Sequence, residues 1–133
     1  MAALSADQIW ARPGGAASIG FHLVHLAGSL DRLFTYARGE SLTDEQHAAL
    51  AAERTIDTTR PGPAALLDLL GRTVAAAMQH LRTVAPASLL MPRTVGKAQL
   101  PSTTLGLLFH AAEHSIRHGG QIITMARVVS SNS

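Results

Sequence analysis

TLGLLFHAAEHSIRHGGQIITMARVV, residues 104–129, carries apolar side chains at the spacing of an α-helix. Ser102 or Thr103, just before it, can serve as the N-cap, and the run fades into the polar tail SSNS. Within this predicted long helix, His110, His114 and His118 recur every four residues. Because residues four apart lie one turn above each other, the three imidazoles form one slanted stripe.

The three histidines of this stripe differ in their position on the helical wheel. At about 100° per residue, His114 lies roughly 40° and His118 roughly 80° from His110. The polar side of the helix holds Glu113, whereas the predicted apolar arc runs from just before His118 round to Phe109. We therefore expect His110 to border solvent, His114 to lie at the edge of the core and His118 to lie inside it.

Two imidazoles at positions i and i+4 can reach one metal ion, which is why this spacing occurs in helical zinc sites. A third ligand must then come from another helix. His25 is the favoured candidate because the small residues Ala27, Gly28 and Ser29 follow it and leave space for close helix approach or for a ligand. His22 ranks second.

Spacing alone favours a metal site and a partly buried polar stripe equally, since histidines at a helix boundary are common without a ligand role. For His110, His47 and His80 the interpretation without a ligand role is favoured.

Capping signals predict the other helices. Ser5 begins a short turn that RPGG ends, and Ser18 begins a long helix that ends at Gly39. Thr43 and Gln46 have the spacing of a capping box for a short helix. The remaining long helix begins at Pro63 and reaches about residue 84.

The segment from Ala85 to Pro101 is rich in proline and is predicted to be a loop, long enough to serve as a lid. Strand signals are weak throughout, so the expected fold is all-α, with up-and-down helices. It comprises three long helices plus one short one. Apolar faces this broad usually need a fourth helix to close a bundle core, and the sequence does not contain it.

Composition restricts the function classes. The 133 residues fit a single domain, residues 1–133, and the absence of cysteine excludes thiolate metal ligands. A formal charge of +2 and 4% aromatic residues disfavour nucleic-acid binding. No signal peptide and no membrane span is evident, so a cytoplasmic protein is expected.

Two stretches, FHLVHLAGSLDRLFTYARGE (residues 21–40) and VGKAQLPSTTLGLLFHAAEHSIRHGGQI (residues 95–122), together resemble the DinB-like (DinB/YfiT-like) family of metal-dependent enzymes. The similarity extends over about residues 17–127. Its more specific motif is HxxxHxGQ, in which the histidines are His114 and His118.

The resemblance implies a four-helix bundle of up-down-down-up topology with one divalent ion held by His25, His114 and His118. It places His110 outside the ligand set and Gln121 in packing or near the ligands. It also implies a homodimer, and activity like that of relatives that are transferases or isomerases using low-molecular-weight thiols.

A three-histidine site leaves coordination positions for water or substrate, which is typical of catalytic metal sites. Zinc or nickel suits imidazole ligands best, with iron or manganese as alternatives. No catalytic side chain is assigned, because Glu113 lies on the polar face and Asp31 and Arg32 have no evident role. The alternative function is a non-catalytic helical module that binds a metal or a small ligand.

The chain departs from the family pattern at its start. The family's first helix normally precedes the segment that corresponds to LSADQIWARPGG, and Met1 stands almost where that helix should end. We expect either a short form whose apolar groove is covered by a second copy, or a natural start upstream of Met1.

Overall fold

The computed structural model describes residues 3–132, and most of them are helical. The elements in chain order are α1 (Ala6–Trp10), α2 (Ile19–Ala37), α3 (Asp44–Ala52), α4 (Ile56–Thr59), α5 (Pro63–Thr83), β1 (Pro92–Val95), β2 (Leu100–Thr103) and α6 (Thr104–Ser131). A short 3-10 turn, Glu53–Thr55, joins α3 to α4.

The predicted helix ends are confirmed. The side chains of Ser5, Ser18, Thr43 and Thr103 each accept a hydrogen bond from the backbone N–H three residues later, which caps α1, α2, α3 and α6. Beyond the end of α2, Gly39 has φ +78°, the left-handed conformation that glycine adopts without strain.

The prediction of an all-α chain with a plain loop from Ala85 to Pro101 is wrong at residues 92–103. There β1 and β2 pair as an antiparallel hairpin, with Pro92 opposite Thr103 and Val95 opposite Leu100. Each strand has only four residues and contains a proline, so no alternation of apolar and polar residues is visible in the sequence. A two-stranded sheet tolerates proline because each strand has a free edge.

The hairpin is anchored at the far end of α2 from the site histidines. The guanidinium Nε of Arg93 donates to the carbonyl oxygen of Ala37 at 2.8 Å. Ala37 lies about 18 Å along the helix axis from His25 at the usual helical rise. A cavity of about 470 Å³ lies beside the hairpin, and the residues that line it do not include His25, His114 or His118.

Helix α2 is central, since its most extensive contacts are with α6 and α5. One core cluster joins Trp10, Leu23, Leu66 and Val129, and α1 closes that end of the core. The indole of Trp10 lies so close to Gly20 that a Cβ there would stand 2.6 Å from the ring. Close packing of α1 on α2 therefore depends on the missing side chain of Gly20.

The sides of α5 and α6 that α2 does not cover expose large apolar residues. We call them the open apolar faces: Leu67, Val74, Met78 and Leu81 on α5, and Leu105, Phe109, Ile116 and Ile123 on α6. The predicted apolar arc of the last helix is thus only partly buried, because α2 packs on one side of α6 alone.

Within residues 3–132, no helix combines the length and the apolar character needed to span a bilayer.

Candidate metal centre

Helices α2 and α6 bring three histidines together. One ring nitrogen from each of His25, His114 and His118 lies within 4.8 Å of those of the other two. The ring centroids of His114 and His118 are 4.4 Å apart, and those of His25 and His118 are 4.7 Å apart. All three residues are partly buried. The three histidines are therefore close enough to hold one metal ion.

The other histidines lie outside this group. His22, the second candidate, is buried, and its Nδ1 lies 2.9 Å from Nδ1 of His118, so it contacts one member of the group. His110 is exposed, with its ring centroid 5.8 Å from that of His114. His47 is exposed on α3, and His80 packs edge-on against a phenylalanine of α2.

Gln121, which the resemblance places in packing or near the ligands, is exposed on α6 one turn beyond His118.

A buried carboxylate that the sequence analysis missed contacts the group. Glu53, in the 3-10 turn after α3, lies with Oε2 2.8 Å from Nδ1 of His25. Its other oxygen accepts a hydrogen bond of 2.8 Å from the guanidinium of Arg32. The side chain of Glu53 is only 8% exposed, so both of its carboxylate oxygens are committed inside the protein.

Gly28 is the one sequence signal for this carboxylate. A Cβ on Gly28 would stand 2.5 Å from Oε1 of Glu53 and 2.7 Å from a guanidinium nitrogen of Arg32. The space beside Gly28, predicted to allow helix approach or a ligand, is thus filled by the ion pair of Glu53, from the turn after α3, with Arg32 of α2. Spacing along the chain could not reveal this, because Glu53 and His25 are 28 residues apart.

Ser29 completes the surroundings of the group. Its hydroxyl donates to the backbone carbonyl of His25 at 2.6 Å, and its Oγ also lies 3.3 Å from Nδ1 of His114. Each of the three grouped histidines therefore has a polar partner at Nδ1: Glu53 for His25, Ser29 for His114 and His22 for His118.

The environment favours the neutral form of His118, His114 and His22. Burial, followed by the charges of His114, His25 and His22, lowers the pKa of His118 to about 4. Burial and then the charge of His25 also lower the pKa of His114 and of His22. Metal binding requires neutral imidazole, so these lowered pKa values favour the form of His114 and His118 that can bind an ion.

Glu53 stays ionised for a different reason. Burial alone would raise the pKa of Glu53, but the hydrogen bonds to His25 and Arg32 outweigh burial and lower it. The pair of Glu53 with Arg32 therefore presents a fixed negative acceptor to His25.

The donor chemistry fits a divalent transition metal. Three neutral nitrogen donors on two packed helices suit zinc, nickel, iron or manganese, and the absence of cysteine excludes a thiolate site. The half-buried position leaves the group partly open to solvent.

The comparison with known proteins covers most of the chain and not only the residues of the centre. The family model described as the DinB superfamily matches residues 1–122. No curated protein and no solved structure matches the chain. Since the family match runs from the first residue past His118 and covers most of the chain, this protein belongs to the DinB superfamily.

Proposed function

We propose that His25, His114 and His118 bind one divalent metal ion and that the protein is a metal-dependent enzyme. The observation that carries this proposal is the convergence of three ring nitrogens within 4.8 Å of one another on two packed helices. Zinc or nickel is the favoured ion, because neutral imidazole suits both, and iron or manganese is the alternative.

The open character of the site supports catalysis over a purely structural role. Structural zinc sites are closed by four protein ligands, whereas three ligands leave room for a small molecule. The side chain of His25 is 25% exposed, so the group can be reached from solvent. When bound, the ion would act as a Lewis acid toward a coordinated water or thiol.

The proposed reaction is a transfer or isomerisation that uses a low-molecular-weight thiol. This part rests on the resemblance to the DinB-like family. In this chain, both carboxylate oxygens of Glu53 are committed to His25 and Arg32, so the proposal does not give Glu53 the role of general base.

The metal site is tested with a matched pair of variants. His118→Ala removes a proposed ligand, whereas His110→Ala removes an exposed histidine of the same helix. After dialysis against zinc and then metal-free buffer, we expect the wild type and His110→Ala to retain about one ion per chain. His118→Ala should retain almost none, because two imidazoles bind an ion weakly. Equal metal content of the two variants by mass spectrometry would refute the assignment.

Activity is tested by loading the protein with zinc or nickel and assaying a panel of thiols with electrophilic substrates. Turnover that needs both the metal and a thiol, and that His118→Ala abolishes, would support the enzyme. Stoichiometric metal binding without turnover would support the alternative, a non-catalytic metal-binding module.

We also propose that α2, α5 and α6 are three helices of a DinB-type up-and-down bundle and that a second copy of the chain covers the open apolar faces. Large apolar faces of this kind are unusual on a protein that stays monomeric. The proposed assembly is a homodimer.

The spacing of the exposed residues supports a helical partner. Leu67, Val74, Met78 and Leu81 of α5, with Gly71, follow the three-and-four spacing of a coiled-coil seam. Leu105, Phe109, Ala112 and Ile116 of α6 follow the same spacing. Neither seam contains a charged residue, so each can meet a seam of an identical chain across a two-fold axis.

The size of the faces also fits a dimer. Their eight large apolar residues are between 40% and 77% exposed. Together they expose an area of the order of 800 Å² per copy, which is the usual contribution of one partner to a stable interface.

The dimer is tested by light scattering of the wild type, Ile116→Glu and the control Thr124→Glu. Ile116 is 77% exposed on the apolar side of α6, and Thr124 is exposed on its polar side. We expect a dimer for the wild type and the control, and a monomer for Ile116→Glu, because burying a carboxylate in an apolar interface is costly. A cooperatively folded wild-type monomer would refute the second copy as the covering partner.

A further inference from the structure

We propose that Glu53, Ser29 and His22 hold the protons of the three grouped histidines on Nδ1, so that His25, His114 and His118 all present Nε2 to the metal. These three are positioning residues, since each acts through a histidine that it contacts. The inference deepens the proposed metal site and rests on it for the identity of the ligands.

The proton of His25 is placed by Glu53. An ionised carboxylate can only accept hydrogen bonds, so the contact of 2.8 Å between its Oε2 and Nδ1 of His25 requires a proton on Nδ1. Arg32 donates to the other carboxylate oxygen at 2.8 Å and holds the charge in place. The free lone pair of a neutral His25 is therefore on Nε2.

The hydrogen bonds of Ser29 determine which ring nitrogen of His114 carries the proton. The hydroxyl of Ser29 has one proton, and the distance of 2.6 Å to the carbonyl oxygen of His25 commits that proton to the carbonyl, which cannot donate. The oxygen of Ser29 is then left as an acceptor for Nδ1 of His114 at 3.3 Å. Nδ1 of His114 must carry the proton, and its lone pair is on Nε2.

In the contact between His118 and His22, either residue can carry the shared proton. Their Nδ1 atoms lie 2.9 Å apart, so one of the two carries the proton and the other accepts it. Only the arrangement in which His118 donates leaves Nε2 of His118 free for an ion. Metal binding selects that arrangement, and His22 is then the neutral acceptor that supports it.

The three contacts form a common pattern. All three partners occupy Nδ1, and all come from α2 or from the turn that packs on it. Partners of this kind orient metal-binding imidazoles and raise their basicity, and losing one commonly weakens metal affinity by about 10- to 100-fold.

The first readout is the tautomer of each histidine in the metal-free protein. Long-range proton–nitrogen NMR spectra at about pH 8, above the ordinary pKa of histidine, distinguish Nδ1–H from Nε2–H. We expect His25 and His114 to be Nδ1–H, whereas exposed His47 should show the Nε2–H form that free histidine favours. An Nε2–H tautomer at His25 or His114 would overturn the proposal.

The second readout is zinc affinity by competition with a chelator. Glu53→Gln and Ser29→Ala should each bind zinc about 10- to 100-fold more weakly than the wild type. Glu113→Gln changes an exposed glutamate of α6, and Ser115→Ala removes a hydroxyl that makes the same bond to the carbonyl four residues earlier, at 2.7 Å. Both controls should bind as the wild type does.

The two readouts separate this inference from the metal site itself. If the wild type binds no zinc, the proposed function fails, and the tautomers of the metal-free protein still decide the proton placement. If the wild type binds zinc and the Glu53 and Ser29 variants bind it equally tightly, the metal site stands and the positioning role is overturned. Circular dichroism spectra that match the wild type confirm that each variant is folded.

Discussion

His118 has the most strongly lowered pKa of the three grouped histidines. It contacts His22, His25 and His114, and burial together with these neighbours lowers its pKa from 6.5 to about 4. A protonated imidazole has no free lone pair on either ring nitrogen and cannot bind a metal ion. The cluster therefore keeps His118 neutral under conditions in which an exposed histidine would begin to protonate.

This lowered pKa predicts how the metal-free protein responds to acid. Between pH 6.5 and about 4, His118 of the unfolded chain binds a proton that the folded chain excludes. The free energy of unfolding must therefore fall as the pH falls through this window. The lowered pKa values of His114 and His22 act in the same direction.

We expect the urea midpoint of chelator-treated protein to be lower at pH 5 than at pH 7, with a smaller difference in His118→Gln. Glu53 should contribute little to this difference, because its pKa is lowered from 4.5, so its protonation falls below the interval compared. Equal midpoints of the wild type at the two pH values would contradict the prediction.

At the scale of elements, α2 serves both the core and the site. Its buried residues pack against α5 and α6, and the same helix supplies His22, His25 and Ser29 to the centre. Gly28 lies on the side of α2 that faces the turn after α3. Because it has no side chain, Glu53 and Arg32 can lie against the helix backbone. A glycine in a helix usually lowers stability, so its presence here is explained by the close approach.

Replacing this glycine should separate fold stability from metal affinity. In Gly28→Ala the new Cβ displaces two flexible side-chain ends, which can move without unfolding the helix. We expect a folded protein whose zinc affinity is about 10- to 100-fold weaker, because Glu53 can no longer hold His25. Titration against a chelator measures the change.

Gly120→Ala is the matched control, since a Cβ on Gly120 of α6 meets no atom within 4 Å. It should leave zinc affinity unchanged and raise the free energy of unfolding by about 0.5–1 kcal/mol. Wild-type zinc affinity in Gly28→Ala would show that the position of Glu53 does not matter to the site.

At the scale of the whole molecule, the centre joins three parts of the chain. His25 lies on α2, His114 and His118 lie on α6, and Glu53 lies in the turn after α3. An ion bound there would link the two helices that make the most extensive contact in the fold. The hydrophobic core around Trp10 and Leu66 is formed by apolar side chains and includes none of the three grouped histidines.

Metal removal should therefore weaken the protein without unfolding it. A ligand that binds only the folded state at a hundred times its dissociation constant adds about 2.7 kcal/mol to the free energy of unfolding. We expect chelation to lower the melting temperature by several degrees and to leave a cooperative transition in the calorimeter. Complete loss of helical circular dichroism on chelation would contradict this and favour a structural ion.

The difference between local and distant contacts explains what could be predicted from the sequence. The sequence by itself determined where the long helices begin, because a cap such as Ser18 or Thr103 acts on a backbone N–H three residues away. It also placed His110 toward solvent relative to His114 and His118, since that order follows from the geometry of one helix.

Only the tertiary structure decided how the centre is assembled. The contact of His22 with His118 spans 96 residues, and that of His25 with Glu53 spans 28, so neither follows from any local spacing. The hairpin at residues 92–103 likewise depends on pairing and on its anchor at α2, rather than on strand propensity. Helix ends and helix faces are properties of a few neighbouring residues, whereas the partners of each histidine depend on how distant segments pack.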